Sequence, residues 1–225
     1  MTVQSPHDAI PQVREGVFFE PLQALPRGRH SLSSEEVRSI QQERILVSMT
    51  ELMAAYGAPG IGTNEIARHA GVSLAAFYEC FDGKEACALA GYDRFIEVLF
   101  HAMNAVDVGD KTRSELVCGL IRAYLETLQS DLVVARAYQV EIDSLGALVR
   151  KRRRDSLLLF AHHLWGVSSE DSTEGRGPEE LPWSAYIGII YTTRQLASDA
   201  LDTEEVPDLI ALSDELAVWV TDLFR

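Results

Sequence analysis

The chain has 225 residues, 47% of them hydrophobic and 24% charged, with a formal net charge of -14. That balance suits a folded core and argues against a disordered chain, and no apolar run approaches the roughly 20 residues that a membrane-spanning helix needs. The three cysteines, Cys80, Cys87 and Cys118, lack metal-ligand spacing, so they are expected to act as small hydrophobes in a reducing compartment. The polar N-terminus does not read as a secretory signal, and a cytoplasmic protein is expected.

In chain order, residues 1–32 carry prolines and no sustained period, which predicts a flexible or loosely docked arm ending in the basic Pro26-Arg27-Gly28-Arg29-His30. A first helix should start at the capping box Ser33-Ser34-Glu35-Glu36. Ile45, Met49, Leu52, Met53 and Tyr56 give its apolar stripe, and Gly57 with Pro59 should end it. Thr63 is placed to cap a short second helix with Ile66, Ala67 and Ala70 inward. Gly71 stops that helix, Ser73 caps a third, and Phe77 and Phe81 supply the third helix's apolar face. Asp82 and Glu85 suggest a further capping box opening a fourth helix to about Asn104.

Helical spacing continues with Leu116, Val117, Leu120, Ile121, Tyr124, Leu125 and Leu128, followed by segments at about 131–142 and 145–165. Residues 168–182, rich in Ser, Glu, Gly and Pro, read as a mobile loop, and two helices at about 183–201 and 206–224 close the chain. No alternating β pattern occurs, so the fold class is all-α. The last helix is apolar around much of its circumference, through Leu209, Leu212, Leu216, Trp219, Val220 and Leu223 with Ile210, Ala211, Ala217 and Val218 beside them. Such a helix is buried on two sides, either at the centre of a monomeric bundle or against a second copy. The second is favoured, and an isologous homodimer through Tyr186, Ile190, Leu212, Leu216, Trp219 and Val220 is expected.

The element from Thr63 to Phe81, a short helix, a glycine turn and a second helix, has the layout of a helix-turn-helix, which frees the second helix for the major groove. The segment "IARHAGVSLAAFYECFDGKEA" resembles the tetracycline-repressor (TetR) family through Ile66, Ala67, Ala70, Gly71, Val72, Ser73, Tyr78, Phe81, Lys84 and Glu85. The resemblance implies a three-helix DNA-binding domain over residues 33–83, after the 1–32 arm, and a six-helix effector-binding and dimerisation bundle over 84–225. It implies phosphate contacts from Thr63, Tyr78 and Lys84, and base-facing positions at Ser73, Leu74, Ala75 and Ala76. Leu74 stands where Lys or Arg is frequent in the family and Glu79 where a basic or polar residue is usual. Direct hydrogen-bond readout is therefore weakened, and Leu74 with the alanines suits thymine methyl groups. Arg44 is a further phosphate candidate, and Arg27 and Arg29 are placed like an arm for the adjacent minor groove.

The net charge is unevenly spread and does not forbid this. In residues 26–84 six Lys and Arg face seven Asp and Glu, whereas in residues 170–225 three face thirteen. The basic run Arg150-Lys151-Arg152-Arg153-Arg154 circles a helix rather than forming one stripe, and reads as a solvated segment paired with Asp155 and Asp143. Neighbouring His162 and His163 project about 100° apart, so a metal site with His101, Glu141 or Asp143 is disfavoured. Gly57–Gly62 lacks the lysine and preceding strand of a phosphate loop, and no nucleophile–base–acid set stands out. Neither a cofactor nor enzymatic activity is expected. Tyr92, Phe95, Phe100, Tyr124, Tyr138, Trp165, Trp183 and Tyr186 are candidates to line an apolar effector pocket.

The expected function is a homodimeric transcriptional regulator, a repressor rather than an activator, that binds a pseudo-palindromic operator in double-stranded DNA and is released by a small-molecule effector. The alternative is a helical ligand-binding or scaffolding protein whose helix-turn-helix no longer reads DNA.

Overall fold

The computed structural model describes residues 10–23, 32–169 and 181–225; Arg27, Arg29 and most of the expected 168–182 loop lie outside the described residues. Within them the chain is helical apart from short 3₁₀ turns and an isolated bridge between Glu15 and Phe19. Helix α1 (Ser34–Tyr56) begins at the expected capping box, where Ser33 N–H donates to Glu36 Oε2 at 2.7 Å and Glu36 N–H to Ser33 Oγ at 3.2 Å. These bonds favour the charged carboxylate and lower the Glu36 pKa. Gly57, at φ 73, ends the helix in a conformation that a side chain would strain. Every residue from Ile45 to Met53 is buried, so α1 runs through the centre rather than along a surface. Tyr56, expected in the apolar stripe, is 57% exposed instead, because it sits on the last turn beyond that enclosed stretch.

Helices α2 (Thr63–Ala70) and α3 (Leu74–Cys80) pack on α1. The cap of α2 differs from expectation: Gly62 is the N-cap, and Glu65 Oε2 accepts from its N–H at 3.0 Å. Thr63 is therefore the first helical residue, its hydroxyl free for other partners. Helix α4 (Lys84–Asn104) likewise starts one residue later than an Asp82 cap requires. Gly83 becomes the N-cap and Glu85 falls out of the third helical position, so no capping box forms there.

Helix α5 (Arg113–Ser130) buries all seven of its expected apolar residues. Asp131 then caps α6 (Leu132–Gln139), which stops short of the expected 142, and a 3₁₀ turn at Glu141–Leu145 leads through Gly146 into α7 (Ala147–Ser169). Helices α8 (Trp183–Thr203) and α9 (Leu209–Leu223) complete the bundle, with α9 against α5 and α8. The basic run of α7 pairs as its spacing suggested, Lys151 with Asp155 at 2.7 Å and Arg153 with Asp143 at 2.7 Å, and Arg152 adds Asp93 at 2.6 Å.

The expectation of a loose arm does not hold for residues 10–23. Phe18 and Phe19 are each 3% exposed, Phe18 stacks on Phe95 of α4 with centroids 5.6 Å apart, and three backbone N–H groups of the segment donate to carboxylates of α1 and of the α6 cap. Two adjacent aromatics gain enough apolar burial to hold a segment with no secondary structure of its own.

Candidate nucleic-acid interface

The turn between α2 and α3 is set by Gly71, whose φ of 69 lies in the left-handed region. Val72 N–H donates to Ala67 O and Gly71 N–H to Arg68 O, which satisfies the last carbonyls of α2 and turns the chain sharply. Ser73 caps α3, its Oγ accepting from Ala76 N–H at 3.1 Å. Phe77 is fully buried and Phe81 nearly so, which pins one face of α3 to the core.

The opposite face carries Leu74, Ala75, Tyr78 and Glu79, all exposed, with Leu74 at 39% and Tyr78 at 52%. The Tyr78 hydroxyl lies 3.3 Å from Thr63 Oγ1, so the start of α2 and the outward face of α3 present two hydroxyls side by side. Both residues were expected at phosphates, and the fold brings them together. Ala76 was expected to face bases; it is 7% exposed and turned toward the core, on the side of α3 next to the buried Phe77 rather than that of Leu74, Ala75 and Tyr78.

Lys84 and Arg44 also depart from expectation. Lys84 Nζ donates to Ala58 O at 2.8 Å and Ile61 O at 2.9 Å, tying the start of α4 to the 3₁₀ turn before α2. Arg44 Nε donates to Ala70 O at 2.7 Å and its Nη1 to Gln23 O at 3.3 Å, so this guanidinium holds the C-terminus of α2. Both cations act first as internal fasteners. The sequence offered no sign of Arg38, whose Nη2 donates to Glu79 O at the end of α3; a basic residue on an exposed turn of α1 has no local signature of such a distant partner. The Glu79 side chain points to the exposed face.

The eight aromatic candidates for a pocket separate into different places. Tyr92, Phe95 and Tyr138 pack face to tilted face with Phe18 and fill the core. Burial raises the phenol pKa of all three tyrosines Tyr92, Tyr124 and Tyr138. Phe100 packs against Phe160 and His163, and Tyr186 is buried against Phe224 and accepts a hydrogen bond from Ser168. Trp165 and Trp183 are surface residues on either side of His162. Only Tyr124 of the eight borders the cavity between α4, α5, α7 and α8, together with Met103, Ile121, Leu157, Leu164, Ile190 and Thr193. That cavity spans about 300 Å³ of non-atom space, part of it open to solvent, and is too narrow for anything much larger than water. Its wall is apolar: Thr193 Oγ1 donates to Ile189 O, and the Tyr124 hydroxyl accepts from Gln139 Nε2 at 2.5 Å.

The expected dimer surface is also revised. Tyr186, Ile190, Leu216 and Val220 are buried within the chain itself, because α9 lays Leu209, Ser213, Leu216 and Val220 onto its neighbours. Leu212 is half-buried. The large apolar residues that α8 and α9 leave exposed are Trp183, Tyr191, Leu196, Val218 and Leu223 with Trp219, the last at 37% and the one member of the expected surface that is open.

Residues 45–90 match the family model described as "Bacterial regulatory proteins, tetR family". Over 213 residues the chain is 25% identical to the HTH-type transcriptional regulator EthR of Mycobacterium tuberculosis, covering 89% of this chain and 94% of the relative. Its fold matches the fatty-acid degradation regulator FadR of Bacillus halodurans, with a TM-score of 0.68 at 18% identity over 80% of this chain and 94% of that one. It also matches FadR of Bacillus subtilis in complex with stearoyl-CoA, with a TM-score of 0.66 at 21% identity over 79% and 96%. A glycine-turned helix pair with an open second helix, a TetR-family match over residues 45–90 centred on that pair, and a fold shared with solved regulators along most of the chain together support a transcriptional regulator of the TetR type.

Proposed function

We propose that the chain works as a homodimeric cytoplasmic repressor, with residues 33–83 reading DNA and residues 84–225 binding an effector and pairing with a second copy. The observation that carries the reading is the open face of α3, where Leu74 and Ala75 offer apolar contact to thymine methyl groups. Thr63 and Tyr78 beside them supply hydroxyls for backbone phosphates. Lys84 has a third N–H beyond the two it gives to the loop before α2, and that hydrogen is its contribution to a phosphate. The hydroxyl hydrogen of Ser73 is available in the same way. Two such faces in a symmetric dimer fit half-sites about 34–36 Å apart on a pseudo-palindromic operator.

Pairing through the outward faces of α8 and α9 is supported by Tyr191, Leu196, Val218 and Trp219, large apolar side chains in solvent on adjacent helices. The effector reading rests on the apolar lining of the cavity beside Tyr124, and an acyl ligand in the Bacillus subtilis structure agrees with an apolar effector. The cavity is too narrow for such a molecule as it stands, so binding must spread α4 from its neighbours. Helix α4 follows α3 by three residues, and its displacement changes the separation of the two recognition helices. Affinity for DNA then falls by the effector's differential affinity for the two arrangements.

Retention of a labelled duplex from the gene's own upstream region tests the reading. The wild type should retain it and Leu74→Glu should not. Failure of the wild type to retain any such duplex, with ligand binding intact, would favour a ligand-binding protein that no longer reads DNA; the internal use of Arg44 and Lys84 is the observation on that side.

A further inference from the structure

The segment 10–23 touches more of the molecule than its length suggests. Val13 N–H donates to Glu51 Oε1 at 3.1 Å, and the other oxygen of that buried carboxylate holds His69 Nε2 of α2 at 2.7 Å. At its far end, Gln23 O accepts from Arg44, the same guanidinium that holds Ala70 O at the C-terminus of α2. Both ends of the segment are thus fastened by side chains that also fasten α2.

Between these ends the segment is fixed to the rest of the bundle. Arg14 N–H donates to Asp131 Oδ2 at 2.6 Å, and Asp131, 1% exposed, is the cap of α6. Gly16, at φ 81, reverses the chain, with its N–H on Phe19 O at 2.7 Å. That reversal drives Phe18 onto Phe95 and sets Phe19 under the Arg94 guanidinium at 5.7 Å. Arg94 pairs in turn with Glu43 of α1 at 2.6 Å, and Glu20 N–H donates to the same carboxylate at 2.8 Å.

We propose that residues 10–23 are a strap that sets the angle at which α2 and α3 are presented relative to α4 and α6, so that strap docking and DNA binding are thermodynamically coupled. The physical basis is shared anchoring. When the strap leaves, Glu51 loses Val13 while keeping His69, Arg44 loses Gln23 while keeping Ala70, and α2 loses the ties to α4 and α6 that run through the strap, leaving those through α1 and Lys84. A helix-turn-helix that samples many angles binds with an affinity reduced by the fraction of molecules at the competent angle. Coupling is reciprocal, so DNA must protect the strap by the same factor that the strap favours DNA.

The test uses full-length variants. Val13→Pro removes the N–H that Glu51 accepts, without emptying the core, and Phe18→Ser removes the stacked ring. Hydrogen exchange and anisotropy with the upstream duplex are read for both variants and the wild type. The expected result is exchange several-fold faster in residues 63–80 with residues 183–223 unchanged, and DNA affinity lower by about three- to tenfold. Added duplex should slow exchange at residues 13–20 of the wild type. Exchange in 63–80 unchanged in both variants overturns the proposal, as does an equal rise throughout the chain, which would mark the segment as general ballast. The affinity arm rests on DNA binding and the exchange arm does not, so a wild type that binds no duplex defeats the DNA reading separately. A Phe18→Ser chain that fails to fold leaves Val13→Pro to decide.

Discussion

The hydroxyls of Thr50 and Tyr138 lie 2.8 Å apart in the buried centre of the molecule, joining α1 to α6. The phenol reaches Thr50 because position 91 of α4 has no side chain: a methyl there would overlap the Tyr138 hydroxyl. Gly91→Ala should therefore destabilise the fold by about 1–3 kcal/mol through overpacking. Tyr138→Phe alone should cost about 0.5–1.5 kcal/mol, the net worth of one hydrogen bond. The double variant, measured by urea unfolding, should be less destabilised than the two single losses added together. Simple additivity would show that the glycine is not there for the phenol.

Tyr78 and Lys84 should separate. The exposed Tyr78→Phe should leave the melting temperature within about 1 °C, since surface changes cost little, and should weaken duplex binding several-fold. Lys84→Met should lose stability by about 1.5–3 kcal/mol from two charge-assisted bonds to Ala58 and Ile61. An unchanged melting temperature for Lys84→Met would refute its role as a fastener.

On α9, neighbouring positions should behave oppositely. Trp219→Glu, on the open face, should yield a soluble monomer by light scattering. Val220→Glu places a charge where the residue is fully buried and should unfold the chain. A soluble dimer from Trp219→Glu would reject pairing through this face.

His163 packs on Phe100, its Nε2 is buried without a partner, and burial lowers its pKa below 6.5. A histidine depressed in the fold favours the neutral form, so its contribution to stability is constant above the unfolded value and declines as pH drops below about 6.5. His163→Phe should flatten that part of the stability profile between pH 7 and 5 relative to the wild type. Parallel profiles would mean that His163 takes up its proton in the fold as easily as in the unfolded chain.

Much of the architecture was readable because it depends on local periodicity. The α5 stripe from Leu116 to Leu128, the Ser33–Glu36 box and the Gly71 turn are each specified within one or two helical turns. The site was readable only in part, for the same reason. Thr63 and Tyr78 meet because a known motif fixes their relation, whereas the partners of Arg44 and Lys84 are carbonyls 21 to 26 positions away. Burial of Phe18 and Phe19 likewise depends on Phe95 and Arg94 of α4, which no local pattern connects to a proline-bearing N-terminal segment. The aromatic candidates misled because a ring filling a core and a ring lining a cavity leave the same trace in a helical period.

The outward face of α3 carries Leu74, Ala75 and Tyr78 and no cation, and this bears on how the protein spends its time in a cell full of DNA. Sequence-independent attraction to a duplex comes from neutralising phosphates. A reader with few cations lingers little on arbitrary sites, and more of its copies stay in the free pool. Fewer copies are lost to the roughly 10⁶–10⁹ competing sites that a genome offers, so a small number of molecules can keep an operator occupied provided the apolar contacts discriminate well. Such a regulator should also hold its target through changes in intracellular salt that would strip a more basic one from its site.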